Sequence, residues 1–160
     1  MNLFISTAID DIVIVLFDDK IKKVLEINNV KRHSEIFFDE IKKLNIDFKR
    51  IEKVYVITKP GSFTGLRLAN VFTQVLKESY NTKVYGVNLL ELLSYQYQEE
   101  ICIDAKGGQY YFLENNNIII TPNSKSLINP KVIIDESLIS FLKTQKNESI
   151  KIDYVKNPIS

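Results

Sequence analysis

Short apolar runs open the chain and set its rhythm. Residues 2–9, 12–17 and 20–27 are rich in Ile, Val, Leu and Phe, and the pairs Asp10-Asp11 and Asp18-Asp19 divide them. Aspartates favour turns, so the spacing predicts a three-strand antiparallel meander. The period then changes. In HSEIFFDEIKKLN, residues 33–45, apolar positions recur at helical spacing, which predicts a helix with Ser34 as its candidate cap. KVYVIT, residues 53–58, reads as a strand buried on both faces. A second helix is predicted over about 65–80, a second buried strand over 83–87 and a third helix over 88–98. The order β-β-β-α-β-α-β-α predicts an α/β fold: a mixed sheet with helices on its faces.

Beyond residue 100 the runs shorten. ICIDA (101–105) and QYYFLE (109–114) predict two strands around Gly107-Gly108, and NNNIIIT (115–121) predicts a third. A helix at 136–145 and a strand at 150–155 follow. The chain thus divides into a first lobe, 1–100, and a smaller one, 101–160. About 60 residues bury too little surface to stand alone, so the second lobe is expected to lean on the first.

Composition narrows the class. The 160 residues are 45% apolar and 26% charged, as in an ordinary soluble domain. Net charge is +1, with Lys and Arg scattered along the chain, which argues against a grip on nucleic acid by this chain alone. The single Cys102 excludes an internal disulfide and, within ICID, predicts a small buried strand residue. The first residues lack the pattern of a signal peptide, and no apolar run nears the ~20 residues of a membrane span. A cytoplasmic location with no membrane partner is the expectation.

The candidate chemistry centres on TKPGSFTGLRLA, residues 58–69. A strand, a glycine loop and a helix start can cradle a phosphate. The phosphate-binding P-loop needs G-x-x-x-x-G-K-[ST], however, and Gly61 and Gly65 are one residue too close, with no Lys after them. A shaped turn is the alternative: Pro60 favours it, Gly61 can take a positive φ, and Ser62 or Thr64 can cap the next helix. His33 is the only histidine, and a helical H-x-x-x-H metal pair would need a second one where Phe37 stands. A triad of Ser62, His33 and Asp104 lacks the G-x-S-x-G elbow that exposes a nucleophile. More informative are two wide apolar arcs. Ile36, Phe37, Phe38, Ile41 and Leu44 sweep roughly 200°, more than a helix lying on a sheet requires. In the next helix, Leu66, Leu68, Ala69, Val71, Phe72, Val75, Leu76 and Tyr80 spread similarly. The surplus predicts a second buried surface against a partner, a second copy, or the small lobe.

Three motifs, KRHSEIFFDEI (31–41), KPGSFTGLRLA (59–69) and CIDAKGGQYYF (102–112), together resemble the TsaB (YeaZ) family of the bacterial tRNA threonylcarbamoyladenosine machinery. That family reads K-H-S-E, then G-P-G-S-F-T-G-x-R, then I-D-A-R-x-G-x-x-Y, and DYVKN (153–157) is similar to its final P-x-Y-L-R-N. The resemblance implies an RNase-H-like lobe of the actin, sugar-kinase and chaperone-ATPase superfamily, a mixed five-stranded sheet with flanking helices, and a reduced second lobe. It implies a non-catalytic subunit that binds a TsaD-type catalytic subunit through its first two helices and is joined by a TsaE-type ATPase. On that reading ATP and metal belong to the partner subunits, this chain binds no cofactor alone, and tRNA is met through the complex. There threonylcarbamoyl is transferred to the adenosine beside the anticodon. The partner interface would draw on His33, Phe37, Phe38, Ile41, Val71 and Phe72. Any anion contact would involve Gly61, Ser62, Thr64, Gly65 and Arg67. Departures exist: Ser6 stands where the superfamily carries an Asp, Lys59 where the family has Gly, and Lys106 where it has Arg. A structural homodimer without the modification role, or a stand-alone small-molecule kinase, are the competing expectations.

Overall fold

The computed structural model describes residues 1–146. The predicted strand at 150–155 and the DYVKN segment lie outside them. The meander forms as β1 (Asn2–Ser6), β2 (Ile12–Phe17) and β3 (Ile21–Ile27). Helix α1 (His33–Lys43) and a single 3₁₀ turn (Phe48–Arg50) lead into β4 (Lys53–Lys59). Then come α2 (Phe63–Tyr80), β5 (Lys83–Asn88) and α3 (Leu89–Tyr97). The sheet runs β3-β2-β1-β4-β5, with β1–β3 antiparallel and β4 and β5 parallel to β1. This is the RNase-H-like arrangement. β2 is apolar and buried at every position, because the sheet is covered on both faces.

One apolar cluster fills the face under α1 and α2, with Leu3, Ile14, Val54, Phe37, Ile41, Phe72 and Leu76. The other fills the opposite face and continues into the second lobe: Phe4, Val15, Tyr55 and Leu90 pack with Ile103, Tyr111 and Leu142. The part of the chain after α3 consists of β6 (Ile101–Lys106), β7 (Gln109–Glu114), β8 (Asn117–Thr121), β9 (Leu127–Ile128) and α4 (Glu136–Leu142). Its sheet runs β8-β7-β6-β9. Its buried residues therefore share a cluster with first-lobe residues. Cys102 lies buried in β6, and its Sγ accepts a hydrogen bond from the Lys125 backbone N–H at 3.4 Å.

One local expectation needs correction. Ser34 does not cap α1. The helix begins at His33, as its predicted range does, but its N-cap is Arg32 and no side chain caps it. The backbone N–H of Val30, bonded to the Asp10 carbonyl at 2.6 Å, fixes where the chain turns toward the helix. The two-residue β9 and the 3₁₀ turn were not anticipated, because elements so short carry no measurable period.

Candidate functional site

The glycine loop closes onto the first strand. Ser62 precedes α2, and its Oγ accepts the Gly65 N–H at 3.1 Å, so it is the helix cap. The Ser62 N–H donates to the Ala8 carbonyl at 2.5 Å, and the Thr7 hydroxyl donates to the Gly65 carbonyl at 2.6 Å. Gly61 is not at positive φ: among the described glycines only Gly107 and Gly108 are. Its role is close approach. A Cβ on Gly61 would lie 2.4 Å from the Ala8 carbonyl oxygen, and one on Gly65 would lie 1.8 Å from that of Thr7. The chain following β1 thus touches the loop backbone to backbone, which only glycine permits.

Thr64 and Arg67 face solvent on the first turns of α2, with the Arg67 guanidinium 5.6 Å from the Phe63 ring centroid. Beside the loop lies a small cleft between the lobes. Asp10, Gly61 and Ser62 line one side, and Asp104, Lys106 and Asn129 the other. The Asn129 Oδ1 accepts the Asp104 N–H at 2.9 Å, and the Asp104 carboxylate accepts the Lys106 N–H at 2.8 Å, so the far wall is internally bonded. Tyr111 also lines the cleft, and burial raises its phenol above the ordinary value. Ser6 ends β1 opposite Val13, while Asp10 lies beyond the strand, so no carboxylate stands at the strand end. Among the described residues, no group of three or more His, Cys, Asp and Glu is placed to hold a metal ion.

The helices are different. Phe37, Phe38, Phe48 and Phe72 form an aromatic cluster with Phe72 at its centre, its ring 5.4 Å from Phe37, 6.1 Å from Phe38 and 5.7 Å from Phe48. These edge-to-face contacts tie α1 to α2. Phe37 and Phe72 are buried, as is Ile41 in the same apolar core. They are therefore core of the folded chain and underlie the surface rather than form it. His33 is buried as well, and its Nε2 has no hydrogen-bond partner among the described residues. What remains outside is an apolar strip: Phe38 is 41% exposed, Val71 52% and Val75 54%. Val71 and Val75 are one turn apart on α2, and the Phe38 ring lies 6.1 Å from that of Phe72, the residue after Val71. Val75 belongs to the strip; the apolar arc of α2 included it, but the expected interface residues did not. It sits one turn after Val71, which was the available signal.

Residues 27–157 match the family model described as TsaD: tRNA N6-adenosine threonylcarbamoyltransferase. The tRNA threonylcarbamoyladenosine biosynthesis protein TsaB of Buchnera aphidicola subsp. Schizaphis graminum is 29% identical over 149 residues, covering 84% of this chain and 71% of that protein. YeaZ from Pseudomonas aeruginosa superposes with a TM-score of 0.65 at 15% identity, covering 89% of this chain and 91% of the other. A second P. aeruginosa structure, described as similar to the peptidase YeaZ, has a TM-score of 0.60 with the same identity and coverage.

Proposed function

Because the chain belongs to the TsaD family, and is similar in sequence to a TsaB and in fold to YeaZ, we propose that it serves tRNA threonylcarbamoyladenosine biosynthesis as an accessory, non-catalytic subunit. It docks a TsaD-type catalytic subunit, and the strip of Phe38, Val71 and Val75 is the docking surface. The exposure of these three side chains on adjacent helices is the observation that carries this reading. A sheet covers one side of each helix, and an apolar second side gains stability only against another apolar surface. A matching helix pair on the partner would make a four-helix contact, burying roughly 1,200–2,000 Å² with an aromatic anchor near its centre.

Supporting the non-catalytic role, Ser6 and the closed glycine loop supply neither an acid at the strand end nor an open phosphate cradle. The ATP and metal of the reaction then belong to the partner subunits, and a TsaE-type ATPase completes the assembly. Depletion of this chain in its host tests the role. The expected result is loss of threonylcarbamoyladenosine from digested tRNA, measured by mass spectrometry and restored by the wild-type chain. An unchanged nucleoside level would contradict it. The purified chain should show no ATP turnover with Mg²⁺; a rate near ~1 s⁻¹ that survives repurification would favour a kinase instead.

A further inference from the structure

Ten of the 21 lysines and arginines that look scattered along the sequence are brought together at one end of the first lobe. β1, β4 and β5 all begin at that end, since Asn2 pairs with Lys53 and Lys53 with Lys83. The β2–β3 turn lies there too, because Asn2 also pairs with Phe17. So do the C-termini of α1 and α2, which lead into β4 and β5. The three segments that build this end, 18–23, 42–53 and 77–83, hold ten Lys and Arg against five Asp and Glu. The whole chain carries a net +1, so the rest of the molecule is net negative.

Part of this charge has a structural explanation. Lys42, Lys43 and Lys77 lie at helix C-termini, where the helix dipole favours cations. Lys22 pairs with Asp18 at 3.7 Å, and Lys23 donates to the Leu44 carbonyl at 2.7 Å. Lys49, Arg50, Lys53 and Lys83 have none of these roles. None of the four forms an ion pair with a described carboxylate. Lys49 and Arg50 are exposed on the 3₁₀ turn that enters β4. Lys53 and Lys83 stand side by side on neighbouring strands, an arrangement that costs stability for like charges. Their sheet face is that of Tyr55 and Tyr85, with the Lys53 ammonium 6.0 Å from the Tyr85 ring centroid. Val54 and Val84 point the other way, under α1 and α2. This lysine pair therefore lies on the side of the sheet away from the docking strip, so both surfaces can be occupied together.

We propose that this basic end binds the phosphate backbone of RNA, with Lys49, Arg50, Lys53 and Lys83 as its contacts. The inference rests on the tRNA-modifying role proposed above, which supplies the polyanion that matches this charge. Four unpaired cations on one end, two of them held against mutual repulsion, complement closely spaced phosphates and gain from counterion release. The contacts position the RNA without reading its sequence.

Fluorescence anisotropy of labelled tRNA with the full chain tests this across a salt series. The wild type should bind weakly, with log K falling steeply as log salt rises. Joint Lys49→Gln, Arg50→Gln, Lys53→Gln and Lys83→Gln should weaken binding by roughly tenfold or more near 0.1 M salt. The same change should flatten the slope by about three, at ~0.7–0.9 per cation removed. The melting temperature should not fall, since the changes relieve repulsion. Lys31→Gln with Arg32→Gln, at the far end of the lobe, should leave binding unaltered. Equal tRNA binding by the four-site variant, or none by the wild type, overturns the proposal. So does binding to phosphatidylserine vesicles without binding to tRNA. Co-purification of the four-site variant with the TsaD-type subunit shows separately whether the docking role stands.

Discussion

The glycine loop and the helix strip are neighbours on α2 and follow opposite designs. The loop carries the most specific motif of the chain, yet the Ser62 N–H and the Gly65 carbonyl are turned inward onto Ala8 and Thr7. The strip takes Phe38 from the KRHSEIFFDEI motif and Val71 and Val75 from outside any motif, and its apolar side chains are turned outward. The glycine motif thus marks a scaffold here, while the exposed apolar residues of the helices form the surface proposed for docking. The difference follows from what each contact needs. Close backbone approach tolerates only glycine, so its sequence is narrow. An apolar contact accepts many side chains, so its sequence is not.

The two regions should respond oppositely to mutation, and the loop should give the largest effect. Gly65→Val would drive a side chain into the Thr7 carbonyl, where even a Cβ comes within 1.8 Å. The expected outcome is a chain that fails to fold, or loses more than the ~1–3 kcal/mol of ordinary overpacking, in a thermal melt. A soluble Gly65→Val chain with an unchanged melting temperature would break the scaffold side of the comparison.

Next comes the contrast of adjacent phenylalanines. Phe37→Asp places a carboxylate in the core without a partner and should unfold the isolated chain, at several kcal/mol. Phe38→Asp should leave the isolated chain melting within a few degrees of wild type, because Phe38 already meets water. Circular dichroism of both variants sharpens the boundary between core and strip. Equal destabilisation would place Phe38 in the core and remove the strip's anchor.

Ser62→Ala removes the cap that accepts the Gly65 N–H and should cost ~0.5–2 kcal/mol, read from chemical denaturation. If stability were untouched while ATP binding disappeared, the loop would be a phosphate site after all. The smallest effect is at the start of α4. Hydrogen bonds from the Ser137 hydroxyl and backbone hold the Asp135 carboxyl below its ordinary value of 3.8. A lowered folded value means the contribution is complete above the ordinary value and disappears as pH falls through the folded one. Acid titration of wild type against Asp135→Asn should therefore show a slight difference near neutrality that vanishes in strong acid.

The first lobe was legible because its strands and helices are long enough to show a period, from the Asp-bounded meander to the runs KVYVIT and KVYGV. The apolar arcs correctly signalled surplus, but not which residues formed it. The phase of α1 on the sheet is set by packing against Phe72, whose ring also meets Phe48, and that decides that Phe37 turns in and Phe38 out. The expected positive φ at Gly61 failed for a related reason. Its constraint comes from Ala8, more than fifty residues earlier, and no local pattern reports such a contact. The basic end was invisible because strand register, not sequence proximity, places Lys53 beside Lys83.

The docking strip is tested most directly by calorimetric titration of the purified TsaD-type subunit into wild type and into Phe38→Asp with Val71→Asp. Stranding carboxylates in a desolvated interface costs several kcal/mol. The double variant should therefore lose at least about a hundredfold in affinity while its melting temperature stays within a few degrees. Wild-type affinity in the folded double variant would contradict the assignment of this strip as the docking surface.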